Sequence, residues 1–553
     1  MHAPTTLCLG SPRFPADVAA LDSDHARWLA LIARLGPQAA AAAVQGDFAV
    51  CLPLPDGSVF MAVDRFAIRS LCWRVHQGAL QVAERADAWA GDKPDLDLQA
   101  LFDYLYFHVV PSPRTVFPGV QRLAPGHFGL WRDGRLAVAR HWTPRFAPAA
   151  QAAFAPLRDE FRQLLKQAVA RQLDGSRAAC FLSGGTDSST VAGMVGQAGS
   201  SPAVAYSIGF AAEGYDEMAF ARTAARHFGC EHREIYYAQD DLLRDIPLVA
   251  GWYDQPFGNS SALPAYLCAL RAREDGVSRM LAGDGGDELF GGNSRYATQR
   301  LFNHYQRVPA VLRKGLLEPF FSLDAVAALP GLRKGTSYIR QANTPLPDRA
   351  QDYNLLRRLG YDKVLTPAFL RQVQPGSVDS QQREVWAQAQ ADNEIDRYLA
   401  YDWRYTLAEC DLPKVVGTTA LAGVGVGFPM LDDDLLAFSM KLPADHKLRG
   451  DALRWFFKEA LRGFLPDEVI HKKKQGFGLP FGVWMVQHPG LKQLADDALQ
   501  ASVARGLLQR SFVQQLQQQL LPQHPHYYGT MVWIVIMLEH WLRRHAPDWN
   551  CRD

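Results

Sequence analysis

The sequence has almost no excess of charge: 58 Lys and Arg stand against 57 Asp and Glu, a formal net charge of +1. No global field therefore favours nucleic acid or an anionic membrane. Its eight cysteines include no C-x-x-C pair, which argues against a zinc site or structural disulfides and for reduced thiols in a cytoplasm. Long apolar runs are missing too. "MVWIVIML", Met531 to Leu538, is too short to span a bilayer. Glu539, His540 and Trp541 follow it, the pattern of a buried helix with an amphipathic end. The N-terminus has no basic region followed by an apolar stretch and a small-residue cleavage site, so no signal peptide is expected. No internal repeat is found. What remains, 48% hydrophobic and 21% charged, is an ordinary globular composition. At 553 residues the chain is too long for one core, and two or three domains are expected.

Two regions separate on pattern. Up to residue 145, short apolar segments such as "GDFAVCLPLPDGSVFMAVD" and "GHFGLWRDGRLAVARHW" are broken by Asp-Gly and Arg-Asp-Gly turns, which predicts β-hairpins. One helix, "DHARWLALIARLG", ends on a glycine suited to a C-cap. "TPRFAPAAQAAFAP" reads as a linker. From residue 155 strands and helices alternate. A helix carries Leu157, Phe161, Leu164, Leu165, Val169 and Leu173 on one face. Strands are expected at Ala178–Leu182, Val204–Ile208, "EHREIYY" and Arg279–Gly283, with helices between them. That order predicts an α/β fold with a doubly wound parallel sheet. Beyond residue 295 the pattern is mostly helical, including the Gln-rich "QQLQQQLLPQ", which keeps helical leucine spacing.

Ligands of such a sheet bind beyond the carboxyl ends of its strands. The stretch Ser183-Gly184-Gly185-Thr186-Asp187-Ser188-Ser189 sits at such an end and opens a helix. Glycines allow a tight turn and close approach, and free N–H groups at a helix start favour phosphate. The P-loop lysine is absent. An Asp inside a phosphate loop repels its ligand unless a metal bridges them, and Mg²⁺ held by carboxylates and phosphate oxygens is the natural solution. A second acidic loop, "MLAGDGGDELFGG", offers Asp284, Asp287 and Glu288 after a later strand. Each loop alone also reads as an ordinary Gly/Asp turn. Both together, at strand ends of one sheet, point to a shared cation.

"FLSGGTDSS" resembles the pyrophosphate loop of the asparagine synthetase family, within the ATP pyrophosphatases. "YSIGF", "YDE", "LAGDGGDELFGG", "PMLDDDLLAFSMKLP", "KKKQGFGLP" and "MLEHWLRR" are similar to further segments of that family. The resemblance covers residue 155 to the end and extends more weakly into residues 1–145 through "GDFAV", "VDRFAIRSL" and "RLAPGHFGL". It implies an adenine nucleotide α-hydrolase-like ligase domain over 155–553 with a helical extension. Before it, over 1–145, it implies a truncated, inactive, β-rich glutaminase-like domain of Ntn type. By resemblance ATP is the substrate. Ser183, Gly184, Gly185, Asp187, Ser188 and Ser189 hold its phosphates, and Asp187 and Asp287 hold Mg²⁺. Ser207, Gly209 and Gly283 border the nucleotide, the Ser207–Gly209 strand end contacting adenine mainly through its backbone. Lys474 and Asp284 are the catalytic candidates. Lys458 falls on the family's K-x-x-L position, with a structural role equally open. Lys472 and Lys473 read as surface charges, and Gly476 and Phe477 as shaping their loop.

In the resembled family a cysteine exposed at the terminus after Met removal hydrolyses glutamine, its own α-amine serving as base. This chain has His2 there, and Cys8, inside an expected strand, has no free α-amine. The front of that domain looks absent, so no glutaminase is expected. Where the family reads Glu-x-Arg before Pro-Phe-Leu-Asp, this chain has Gly425 and Gly427, and Val416 stands where many relatives carry Asp. Loss of the arginine fork fits either a changed substrate or drift in an internal ion pair. The chemistry implied is carboxylate adenylation followed by attack of an amine. The glutaminase-deficient members most like this chain are the lasso-peptide cyclases, which close a macrolactam on a peptide and work with a partner protease. β-Lactam synthetases resemble it less. An ammonia-dependent asparagine synthetase and a catalytically inactive scaffold of the same fold are the alternatives. Oligomeric state is left open.

A cation placed where charge develops acts mainly in the transition state. Lys474→Ala should therefore keep nucleotide affinity within about threefold while losing most pyrophosphate release, whereas a solvated neighbouring lysine changed to Ala should keep both. Calorimetric titration with a non-hydrolysable ATP analogue, beside a pyrophosphate assay, checks this; parental turnover in Lys474→Ala refutes it.

Overall fold

The computed structural model describes residues 6–148, 153–175, 177–199, 201–212, 214–323, 329, 332–473 and 478–551. Through the first 145 residues run β1 (Leu7–Gly10), β2 (Phe48–Pro53), β3 (Val59–Val63), β4 (Cys72–His76), β5 (Ala79–Ala83), β6 (Gln121–Arg122), β7 (His127–Arg132) and β8 (Arg135–Arg140). They make two antiparallel sheets, ordered β1-β2-β3-β7-β8 and β5-β4-β6. Side chains alternate across a strand, so β2 and β3 present two faces. Phe48, Val50, Leu52, Phe60 and Ala62 pack with the helices Asp24–Leu35 and Pro37–Ala43. Trp28 fills that layer, 5.2 Å from the Phe48 ring and 5.8 Å from Phe60. Ala49, Cys51, Met61 and Val63 pack with Leu80 and Val82 of the smaller sheet. Both faces are covered, which is why these strands read as unbroken apolar runs. Beyond β3, the Asp64 carboxylate accepts from the backbone N–H groups of Phe66 (2.8 Å), Ile68 (3.0 Å) and Phe48 (3.2 Å).

The chain from residue 154 onward builds a parallel sheet. Its strands are β9 (Ala179–Phe181), β10 (Val204–Phe210), β11 (Glu231–Tyr237), β12 (Arg279–Leu281) and β13 (Gly425–Gly427), in the order β11-β10-β9-β12-β13, all parallel. The expected α/β doubly wound architecture is present. The chain winds outward from β9 through β10 to β11, then returns to place β12 on the other side of β9. That reversal is a topological switch point, and it lies between the two loops that the sequence singles out. The edge strand β13 is an addition to the expectation. Its two glycines leave too little pattern to read. A Cβ on Gly427 would collide with the Gln172 amide, which already accepts from Arg279 at 2.7 Å.

The helix Pro525–His545 is buried along Met531–Leu538, as expected. Its Glu539, 1% exposed, is held by Arg505 at 2.9 Å. Among the described residues no helix is long and apolar enough to cross a membrane. The Gln-rich stretch is helical with a π-helical turn at Leu516–Leu520.

The two halves are joined by packing and by charge. The helix Leu98–Phe107 lies in the core of the large half, and its Tyr104 hydroxyl donates to the Ile534 carbonyl at 2.7 Å. Asp432, buried, accepts from Arg13 at 2.6 Å and Arg171 at 2.8 Å while its side chain caps the helix Asp433–Lys441. Asp433 accepts from the Gly46 N–H at 2.7 Å and pairs with Arg65 at 2.5 Å. The motif "PMLDDD" is thus the clasp on the N-terminal region.

Among the described residues, one ion pair is fully buried: Lys447 Nζ lies 2.5 Å from Asp396, both side chains at 0% exposure. Removing one partner strands a charge in low dielectric, whereas removing both does not. Asp396→Asn should cost about 3–5 kcal/mol of unfolding free energy, and Asp396→Leu with Lys447→Met should recover most of it. Urea titration of both variants tests this; a double variant less stable than the single one contradicts it.

Candidate functional site

Two loops meet at the switch point. After β9, the chain turns at Ser183–Gly185 into the helix Thr186–Ala198. The turn is held by its own hydroxyls: the Ser183 N–H donates to Ser188 Oγ at 3.1 Å, and the two serine Oγ atoms are 3.0 Å apart. After β12, Gly283–Gly285 lead into the short helix Gly286–Phe290. The second loop lies directly on the first. A Cβ on Gly283 would meet the Ser188 nitrogen at 2.8 Å, and one on Gly286 would enter the Asp187 carboxylate. These glycines make room for Asp187 to approach Asp287.

The two aspartates converge on one cation, the guanidinium of Arg454. Its Nη1 donates to Asp187 Oδ2 at 2.7 Å, Asp287 Oδ1 at 2.8 Å and Thr186 Oγ1 at 2.9 Å, and its Nη2 pairs with Asp187 Oδ1. The guanidinium also lies 4.0 Å from the centre of the Phe457 ring. Arg454 is 4% exposed and sits at φ +57°, a left-handed conformation that costs a non-glycine residue roughly 1–2 kcal/mol. Burial opposes its charge, but Asp187 and Asp287 outweigh burial and hold it above its ordinary range. The sequence analysis did not single out Arg454. The only trace it leaves there is a lone Arg before "WFFKEALRGFLP".

A cleft of about 350 Å³ opens above these loops, bordered by Ser183, Asp187, Ser188 and Gly283 and by Tyr206 and Ile208 of β10. Ser207 and Gly209 are not among its lining residues. The Ser207 hydroxyl instead donates to the Leu182 carbonyl at 2.5 Å and meets His232 at 2.7 Å, tying the strand ends together. Gly184 and Ser189 are buried and do not border the cleft, and Gly185 faces a second cavity. Among the described residues, five acidic side chains but one lysine border the cleft. The lysine is Lys414, missed in the sequence, whose Nζ lies 3.2 Å from both Asp284 and Asp411. Burial pushes the Asp284 carboxyl above its ordinary range, against the pull of Lys414. Burial, then Asp287, Asp411 and Asp402, push the Glu288 carboxyl well above its ordinary range.

The second cavity, about 480 Å³, lies outside the phosphate loop and is richer in cations: Arg454, Lys458, Arg462, Lys472 and Lys473 border it. Lys472 corrects an expectation. It is not a solvated surface charge, because its Nζ lies 2.7 Å from Glu217 and 5.0 Å from the Phe220 ring centre, with the side chain 10% exposed. Lys473 is exposed and is the proper control for surface charge. Lys474, Gly476 and Phe477 lie outside the described residues. Gly425 and Val426 border a third cavity of about 700 Å³ between the two halves, not the nucleotide-sized cleft. That placement, with Gln172 and Arg279 filling the space beside Gly427, favours an exchanged internal pair over a changed substrate contact.

Among the described residues no cluster of three or more His, Cys, Asp and Glu gathers as a metal site. Asp187 and Asp287 nonetheless fit a divalent ion completed by phosphate oxygens: they already converge on a single cation in a cradle that only glycine leaves open. Cys8 lies in β1, paired with Val50 of β2, and burial, then Asp24, push its thiol up.

Residues 160–543 match the family model described as "Asparagine synthase", and residues 19–142 match "Glutamine amidotransferase domain". The chain is 24% identical over 483 residues to "Asparagine synthetase [glutamine-hydrolyzing] 1" of Bacillus subtilis (strain 168), covering 86% of this chain and 74% of that protein. It is 27% identical over 448 residues to a "Putative asparagine synthetase [glutamine-hydrolyzing]" of Mycobacterium bovis, covering 77% of this chain and 66% of that one. It is also 26% identical over 487 residues to "Amidase chry2" of Gibberella zeae, covering 80% and 70%.

Without Arg454, Asp187 and Asp287 lose the cation they share. Arg454→Ala should lower the melting temperature, and millimolar Mg²⁺ without nucleotide should raise it again. In the parent the guanidinium competes with the ion, so Mg²⁺ should have little effect. Thermal melts with and without Mg²⁺ decide it: equal Mg²⁺ shifts in both proteins contradict a shared cation position.

Proposed function

The chain belongs to the asparagine synthase family, a family of ATP-dependent carbon–nitrogen ligases, and from that premise we propose that it adenylates a carboxylate of a peptide and closes it onto an amine as a macrolactam. The observation that carries the ligase reading is the convergence of the Ser183–Ser189 and Gly283–Glu288 loops at the switch point between β9 and β12. A substrate carboxylate oxygen attacks the α-phosphorus of ATP, the bond to pyrophosphate breaks, and an acyl-adenylate forms. The amine nitrogen then attacks the acyl carbon, the C–N bond forms and AMP leaves.

Each residue has a task in that sequence. Ser183 and Ser188 offer hydroxyls at the phosphate loop. Asp187 and Asp287 would hold Mg²⁺, which when bound offsets the charge of the phosphates among five acidic side chains. Asp284, raised by burial and beside Lys414, would accept the proton from the attacking amine. By the resemblance, Lys474 would supply a cation at the reacting phosphate.

The amine is proposed to come from the peptide itself rather than from glutamine. Cys8 supports this: it sits within a strand and its thiol is pushed away from the reactive thiolate. On this reading the N-terminal region is a docking and structural unit, and a precursor peptide with a partner protease supplies the substrate. An ammonia-dependent asparagine synthetase is the nearest rival, since the same cleft would serve it. An inactive scaffold would have no use for two acidic loops arranged around one cation.

Asp187→Asn and Asp287→Asn should each lower Mg²⁺-dependent pyrophosphate release at least about tenfold, roughly 1.4 kcal/mol of transition-state stabilisation. Cys8→Ala should leave it unchanged, and the parent should release no glutamate from glutamine. Parental turnover in both aspartate variants at limiting Mg²⁺ would remove the two-loop site, and Cys8-dependent glutamate release would remove the peptide-amine reading.

A further inference from the structure

A cavity of about 650 Å³ lies beside the nucleotide cleft and takes no part in the chemistry above. Its position is set by an irregular helix. Residues Trp403–Asp411 form a π-helix, a rare geometry that recurs at functional sites. Tyr405, Thr406 and Cys410 of that segment border the cavity, while Asp411 borders the nucleotide cleft. The Asn259 amide spans the join, 3.3 Å from Cys410 Sγ and 3.3 Å from Asp411 Oδ1. The two spaces are therefore neighbours across a single residue step.

The lining has a consistent chemistry. Phe107 and Tyr405 stack at 5.3 Å, and Tyr401 and Tyr405 lie 4.9 Å apart, giving aromatic walls. Four side-chain amides, Gln299, Gln351, Asn354 and Gln382, line the rest. Arg295 is the one charged side chain among the lining residues, and it is paired with Asp402 at 3.3 Å. Four polar atoms here are buried with no hydrogen-bond partner among the described residues: Tyr398 OH, Tyr405 OH, Gln299 Oε1 and Arg295 Nε. Buried polar atoms are rarely left unpaired, so a polar occupant belongs against them.

We propose that this cavity holds the uncharged peptide segment between the reacting carboxyl and the reacting amine of the substrate. Amide side chains pair with peptide N–H and C=O groups, and tyrosine rings pack apolar or aromatic side chains at low entropic cost. A segment carrying Lys or Glu would be desolvated beside a single arginine already paired with Asp402, and is disfavoured. The inference rests on the peptide-ligase reading and adds to it where the peptide lies and which peptides are accepted.

The probes are linear peptides with a free α-amine, one Asp, and either neutral residues (Gly, Ser, Ala, Phe) or Lys and Glu between them. The readout is peptide-dependent ATP–pyrophosphate exchange, with aspartate plus ammonia as a small-substrate comparison. Thr298→Trp, at an exposed position on the cavity's edge, obstructs the space. It should raise KM for neutral peptides at least about tenfold while exchange at saturation stays within about threefold. Tyr398→Phe with Tyr405→Phe removes only the unpaired hydroxyls and should raise KM at least about threefold; it decides the matter if Thr298→Trp does not fold. An unchanged KM in a folded variant, or equal KM for neutral and charged peptides, overturns the cavity assignment and leaves the ligase reading standing. Exchange by the parent with aspartate and ammonia but with no peptide overturns the peptide reading, and this inference with it.

Discussion

One buried guanidinium holds the centre of the ligase half together. Asp187 begins the helix after β9 and Asp287 the helix after β12, and the two strands are neighbours. Two carboxylates so close repel each other in a low-dielectric site. Arg454 removes the repulsion by donating to both, and it carries a left-handed backbone to do so. The loops can then lie in contact, with Gly283 against Ser188. The cleft has its shape because this cation is in place. Any divalent ion arriving with phosphate must contend with it, which makes the guanidinium the natural link between the resting arrangement and the loaded one.

A second layer of charge joins the halves. Asp432 and Asp433 sit where the helix Asp433–Lys441 starts, so each carboxylate meets a helix N-terminus on one side and arginines on the other. Arg13 and Arg65 come from the N-terminal region and Arg171 from the helix preceding β9. The same three-aspartate motif therefore caps a helix of the large half and anchors the small one. The helix Leu98–Phe107 adds an apolar anchor, packed in the core formed around the helix Pro525–His545. With its sheets docked this way, the N-terminal region contributes to the framework whether or not it has a chemistry of its own.

Around the π-helical segment Trp403–Asp411, three spaces meet. Its Ala408 and Glu409 face the cavity between the halves, Tyr405 and Cys410 the aromatic cavity, and Asp411 the nucleotide cleft. An α-helix repeats every 3.6 residues and presents a steady face; the wider π turn redistributes neighbouring side chains among different directions. One short stretch can thus border three cavities, and an arrangement of this kind suits an enzyme that must bring a nucleotide, an acyl group and an amine to one point.

Much of this was determined by the sequence alone. Apolar runs with turn residues set the strands and helices, and the alternation of strand and helix after residue 155 set a parallel sheet, because periodicity and turn chemistry act over a few residues. The glycine-rich loops with Asp187, Asp284 and Asp287 were legible for the same reason: a phosphate loop is a local object. What only the tertiary structure decided is what meets across long separations. Arg454 lies 267 residues from Asp187 and is one arginine among many until the fold brings it there. Lys414 pairs with Asp284 across 130 residues, and Lys472, which looks solvated in a run of lysines, finds Glu217 and Phe220. The strand β13 could not be read from three residues, two of them glycine, because its partner β12 supplies the reason for its conformation. Local sequence determines which backbone shapes a segment prefers; charge pairing and burial depend on which distant segments it is folded against, and that is a property of the whole chain.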